Sequence, residues 1–222
     1  MSMRAWARSV VASIVAVLVT AFVAGVPRAT RAQARSELRA PDAFAAIADR
    51  IERSIAFFVE AGKVLQHPRC QNCHSGDDRP RQGETGRPHQ PPVRSGPDGL
   101  GVAGLRCSAC HQDANYDAVG MPGLTGWHLA PASMALRGVS LSAICAQLKD
   151  PDKNGGRTVD DLVTHVTNDP LVLWAWAPGN GRQPAPGTHA AFAALFRAWA
   201  DSGAACPRVG WLGYLFEMHP AN

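Results

Sequence analysis

Cys70-Gln71-Asn72-Cys73-His74 and Cys107-Ser108-Ala109-Cys110-His111 are two copies of one pattern, Cys-x-x-Cys-His. Two thiols three positions apart can add across the two vinyl groups on one edge of a porphyrin. The histidine that follows then falls beneath the metal as an axial ligand. Each copy therefore reads as a c-type haem attachment site. Cys70, Cys73, Cys107 and Cys110 would form the thioethers, and His74 and His111 would be the proximal ligands. Two Cys-x-x-Cys knuckles could instead share one tetrahedral zinc ion, and either pair alone could be a thioredoxin-like redox site. Neither alternative needs a histidine after each pair, and neither motif sits in a βαβ pattern. The expected cofactors are two covalently attached haem c groups.

The group opposite each proximal histidine decides the chemistry. Two coordinating side chains make an electron carrier, whereas an open face admits oxygen, peroxide or another small molecule. His89 lies in the loop between the motifs, where a return pass over the first haem is geometrically easy. His128 sits in the segment Gly126-Trp127-His128-Leu129-Ala130-Pro131 after the second motif. These two are the expected distal ligands, with His165 in reserve and Met121 and Met134 as thioether alternatives. His67, three residues before Cys70, is poorly placed for the far face of its own haem but could serve the neighbouring one, and His189 and His219 read as solvated positions.

The amino terminus points to export. Arg4 and Arg8 precede an apolar run over residues 10–26, Pro27 breaks it, and Ala32-Gln33-Ala34 gives a small-x-small cleavage pattern. Residues 1–34 read as a cleaved signal peptide, an uncleaved membrane anchor being the alternative. The segment holds four of the chain's 22 basic residues and none of its 18 acidic ones. The mature chain is thus formally neutral, which gives no support to nucleic-acid binding. Four of the six cysteines belong to the motifs. Cys145 and Cys206 remain, and in an oxidising compartment they would form a disulfide rather than stay as buried thiols.

A helix is expected over residues 41–66, with Phe44, Ile47, Ile51, Ile55 and Phe58 on one face. Residues 75–104 are rich in Pro, Gly and Arg, a long loop that suits wrapping a cofactor edge. Arg79, Arg81, Arg87 and Arg94 are candidate partners for haem propionates. Further helices should start at Ser140, at Thr158 with Asp161 as a capping box over residues 159–167, and at Thr188. No strand pattern of useful length is visible. The expected fold is mostly α with extensive irregular loops, a compact c-type cytochrome fold built around two haems. It divides into a haem-attachment region over residues 35–135 and a helical region over residues 136–222.

Five further stretches carry a resemblance: Ala61-Gly62-Lys63-Val64-Leu65, Trp127-His128-Leu129-Ala130-Pro131, Gln147-Leu148-Lys149-Asp150-Pro151, Asn154-Gly155-Gly156-Arg157 and Pro184-Ala185-Pro186-Gly187-Thr188. With the two motifs they resemble exported dihaem chains catalogued as subunits of isoquinoline 1-oxidoreductase-type enzymes, over nearly all of residues 35–222. The resemblance implies a periplasmic cytochrome that accepts electrons from a partner molybdenum hydroxylase or dehydrogenase. No molybdopterin or iron–sulfur cysteine pattern is visible here, so the expected role is electron transfer rather than catalysis. A peroxidase-like haem enzyme or a haem-based sensor with one open iron is the alternative.

Overall fold

In the computed structural model, which describes residues 37–179 and 181–208, the helix expected over residues 41–66 divides at Asp49. Pro41–Phe44 makes a 3-10 turn, and α1 runs Arg50–Leu65. The Asp49 carboxylate accepts the Glu52 N–H at 2.8 Å, and an extended residue capping in this way starts a helix instead of continuing one. The new start turns Ile51 outward at 63% exposure, against the expected stripe. Ile55, Phe58, Ala61, Val64 and Leu65 face inward, and Phe44 meets Phe57 edge-on at 5.4 Å.

Pro68–Gln71 forms a single turn, α2, immediately after α1. The second half is helical, as its caps foretell. Helix α3 (Leu141–Leu148) starts at Ser140, whose hydroxyl accepts the Ala143 N–H at 3.2 Å. Pro151 opens a separate turn, α4 (Pro151–Asn154), which Gly155 ends in the left-handed region. The Thr158/Asp161 capping box opens α5 (Val159–Asn168). Pro170–Trp174 is α6, and α7 (His189–Asp201) is capped by Thr188. Phe192, Leu195, Phe196 and Trp199 of α7 are all buried, on the expected stripe.

Helices α1, α3, α5 and α7 share one core. At its centre the Trp199 ring lies 5.0 Å from Phe58 and 5.3 Å from Phe196. Each such large apolar side chain contributes about 1.5–3 kcal/mol on full burial. Cys145 in α3 is bonded to Cys206, the pairing expected from the cysteine count, and both Ser54 and Trp199 hold Ala205 beside it by hydrogen bonds.

The stretch between α2 and α3 is built differently. Its strands pair only as three short antiparallel hairpins: β1 (Arg81–Gln82) with β2 (Arg87–Pro88), β3 (Gly101–Val102) with β4 (Leu105–Arg106), and β5 (Ala114–Tyr116) with β6 (Met121–Leu124). Strands of two to four residues are too short to show alternation in sequence. Between Cys73 and Val139 the buried apolar side chains are only Leu129, Met134 and Leu136. That is far too little for a core of its own, since isolated two-stranded ribbons are marginal in water.

From Leu38 onward the chain groups as one unit. Among the described residues no helix is long and apolar enough to cross a membrane. The expected signal segment and His219 lie outside the described residues. The disulfide closes a 61-residue separation, so Cys145→Ser with Cys206→Ser is expected to lower the unfolding free energy by about 4 kcal/mol in the chain-entropy picture. Denaturant titration of parent and double variant measures this, and equal midpoints would contradict it.

Candidate functional site

Both pentapeptides fold as the same turn. In the first, the Cys73 and His74 N–H groups donate to Cys70 O at 3.2 and 3.0 Å. In the second, the Cys110 and His111 N–H groups donate to Cys107 O at 3.2 and 2.8 Å. One helical turn sets both cysteines and the histidine relative to each other without help from tertiary contacts. The lead-ins differ: α1 and α2 run into Cys70, whereas the β3–β4 hairpin runs into Cys107, whose N–H donates to Leu100 O at 2.9 Å.

The two histidines are also held alike. His74 Nδ1 lies 2.7 Å from Met134 O, and His111 Nδ1 lies 2.7 Å from Pro122 O. A carbonyl only accepts, so each Nδ1 carries the proton and each Nε2 keeps its lone pair for a metal. Burial pushes the pKa of both rings down, opposed in each by that carbonyl. Both are therefore poised as neutral imidazoles.

Each carbonyl is delivered by a separate piece of chain. For His74 it is the segment 130–137, stitched to the motif by Ala130 N–H on Cys73 O (3.3 Å) and by the Leu136 and Arg137 N–H groups on His74 O. For His111 it is strand β6. The approach of β6 to β5 requires a glycine at 123, because a Cβ there would meet Gln112 O at 2.6 Å and Ala114 O more closely still. Trp127 stacks on the His111 ring at 4.7 Å and 9°, and Trp174 of α6 abuts Trp127 edge-on at 5.0 Å. Asn115 ties this group together, accepting from Trp174 Nε1–H (3.1 Å) and Gly123 N–H (2.9 Å).

Cys107, Cys110, His111 and Cys73 share the wall of one cavity of about 380 Å³. His89, His128 and Met121 line it too. The His89 and His111 rings meet edge-on, with centroids 5.9 Å apart. His89 Nδ1 is 2.8 Å from Pro91 O and His128 Nδ1 is 2.7 Å from Gly126 O, so these rings repeat the tautomer of the motif histidines. His165 stands on α5 with Nδ1 3.3 Å from the Asp169 carboxylate, off the cavity wall. His67 accepts the Arg69 N–H on Nδ1 as the cap of α2, and His189 spends Nε2 on Val166 O. The Met134 side chain is in the core, so of the two thioethers only Met121 reaches the cavity.

Three of the four motif thiols have their pKa raised. Burial pushes Cys70 up to about 12, reinforced by Cys73, and pushes Cys73 up to about 11. Cys107 is raised for the same reason. A redox-active dithiol has the opposite tuning, with one thiol lowered. Among the described residues no three His, Cys, Asp or Glu side chains gather to hold a metal ion by themselves.

Arg81, Arg87 and Arg94 line the cavity and Arg79 does not; Arg81 is paired with Asp77 at 2.7 Å, and Arg79 and Arg94 are both paired with Asp78. Arg69, Arg106 and Arg182 join the wall from elsewhere in the chain. Two buried polar atoms there, Arg81 Nε and Asn72 Oδ1, have no hydrogen-bond partner. A buried donor on an arginine left unsatisfied is costly, and a carboxylate of a bound group would answer it.

Comparison with protein-family models, curated proteins and solved structures finds no match for this chain. The chemistry is therefore carried by the geometry of its own residues.

Gly123→Ala is expected to push β6 away from β5 and withdraw the Pro122 carbonyl from His111, at a cost of about 1–3 kcal/mol by overpacking. Hydrogen exchange should show lost amide protection at Gly123. Unchanged protection would mean that β5 and β6 are not locked by this contact.

Proposed function

We propose that this chain is an exported dihaem c-type cytochrome that carries electrons for a partner oxidoreductase. The observation that carries the reading is the pair of Cys-x-x-Cys-His turns, identical in hydrogen bonding, each with its histidine held as the Nδ1–H tautomer by a backbone carbonyl. The stretch around them has almost no apolar core, and its cavity wall is arginine-rich with an orphaned Arg81 Nε. These residues fit haem: thiols for its vinyl edge, imidazoles for its iron, and guanidinium groups for its propionates.

Haem supplies reversible one-electron redox chemistry. The protein's part is to hold and tune. Cys70 with Cys73, and Cys107 with Cys110, would anchor one group each. His74 and His111 would bind from the proximal side, kept in orientation by Met134 O and Pro122 O. His89 and His128 would close the distal faces, with His165 in reserve. The Trp127–Trp174 pair keeps the His111 ring in a fixed plane and dry on that face. With both irons capped the chain transforms no substrate itself.

Periplasmic location rests on the export pattern of residues 1–34 and fits the Cys145–Cys206 bond, since disulfides persist in oxidising compartments. The resemblance to isoquinoline 1-oxidoreductase-type subunits suggests a molybdenum hydroxylase or dehydrogenase as donor. Neither nucleic acid nor membrane enters this reading, unless the amino-terminal segment stays uncleaved as an anchor.

Intact-mass measurement of the purified protein is expected to give two covalently bound haems. Carbon monoxide added to the fully reduced protein should leave its visible spectrum unchanged. A shift in part of the haem absorbance would reveal an open iron and favour a peroxidase-like enzyme or a sensor instead.

A further inference from the structure

We infer that His89, carried by the loop that follows the first motif, is the axial partner of His111 in the second. The inference rests on the dihaem reading above and adds which histidine faces which iron.

Sequence proximity favours the opposite assignment, because His89 is closer along the chain to Cys73 than to Cys107. The fold carries it across. The β1–β2 hairpin is pinned to the first motif at its base, where Arg81 N–H donates to Asn72 O (3.0 Å) and Asn72 Nδ2 donates to Gly83 O (3.0 Å). Beyond β2, His89 N–H donates to Pro80 O at 3.2 Å and Gln90 N–H to Gln82 Oε1 at 3.0 Å. These bonds fix the backbone at His89 while the ring reaches the other motif.

The ring geometry then fits a shared ion. Two imidazoles bound through Nε2 from opposite sides, with metal–nitrogen bonds of about 2 Å, place their centroids about 6 Å apart. The observed separation of His89 and His111 is 5.9 Å, with the rings at 63°. Both rings have Nδ1 committed to a carbonyl, Pro91 O and Pro122 O, so both offer an Nε2 lone pair. An aromatic contact alone would not require that matched tautomer. Of the other described histidines, His67 and His189 use their ring nitrogens in ways that leave Nε2 protonated. His165 is off the cavity wall. His128 lies between Trp127, stacked on His111, and Ala130, whose N–H donates to Cys73 O, while the ring that meets His111 edge-on is His89.

The consequence is an interlock. The second iron's distal ligand hangs from Asn72, inside the first Cys-x-x-Cys-His turn, and the first iron's proximal histidine is held by Met134 O, beyond the second turn.

The test begins by counting haems in the parent protein; fewer than two overturns the dihaem reading itself, separately from the ligand assignment. With two present, His89→Ala is placed in two single-haem backgrounds, Cys70→Ala/Cys73→Ala and Cys107→Ala/Cys110→Ala, and carbon monoxide difference spectra are recorded on the reduced proteins. The assignment expects His89→Ala to open the haem of the first background to carbon monoxide and to leave the response of the second unchanged. The reverse pattern, or no new response in either, overturns it. Should a single-haem chain fail to accumulate, an experimental structure of the loaded parent answers the same question. His89 Nε2 at about 2 Å from the iron bound by His111 supports the assignment, and any other ligand there overturns it.

Discussion

The hydrogen bond from a ring Nδ1–H to a backbone carbonyl is the constraint on which the rest of this structure turns. A free imidazole can place its proton on either nitrogen and rotate about two bonds. Met134 O and Pro122 O remove both freedoms at once, fixing tautomer and plane. Because the acceptor is main chain, holding it means holding a whole segment. The segment from Ala130 to Arg137, which also places Met134 and Leu136 in the core, and the β5–β6 hairpin both serve that requirement. The close approach at Gly123, the Asn115 ties and the Trp127 stack are the means by which one carbonyl is kept 2.7 Å from one nitrogen.

Two regimes of stabilisation therefore meet in one chain. Helices α1, α3, α5 and α7 bury a continuous apolar core, locked by a disulfide and by Ser54 and Trp199 on Ala205. That part satisfies the usual requirement that burial offset conformational entropy. The stretch from Cys73 to Val139 does not, having three buried apolar side chains and hairpins of two to four residues. On the dihaem reading the macrocycles supply the missing apolar surface, and the loop is ordered as a wrapping for them. The buried thiols agree with this. The Cys70 thiol, pushed up to about 12 by burial, sits against the helical core where the two regimes meet.

How much of this was readable in the chain follows from range. Features fixed by neighbours in sequence were legible: the two pentapeptides, the caps at Ser140, Thr158 and Thr188, and the apolar stripe of α7. The Cys145–Cys206 bond was legible by elimination. The break at Asp49 was missed because Pro41 also marks a helix start and the apolar spacing runs through both pieces. Ile51 was misassigned for the same reason. The acceptors of the histidine protons could not be read at all, since a main-chain carbonyl has no sequence signature. Trp174 and Arg182 reach the site from segments far along the chain, and their residue types fit ordinary packing or a solvated surface equally well. Arg79 shares its loop with Arg81, Arg87 and Arg94 in sequence, and only the path of that loop keeps it off the cavity wall.

The two motifs share their turn and the histidine-to-carbonyl bond but differ in surroundings. The first lies against the helical core, with Cys70 packed on that cluster and deeply desolvated. The second sits at the edge of the fold, with Cys110 exposed and the half-exposed Val102 and Leu105 on the hairpin leading into it. Burial and nearby charge set the potential of a haem as strongly as ligand identity does. Two groups held by the same ligands in unequal environments would therefore have unequal potentials. Inequality is what an electron carrier with two centres needs, because it gives transfer a direction. In this chain that asymmetry comes from placing one copy of the turn against a core and the other at a rim.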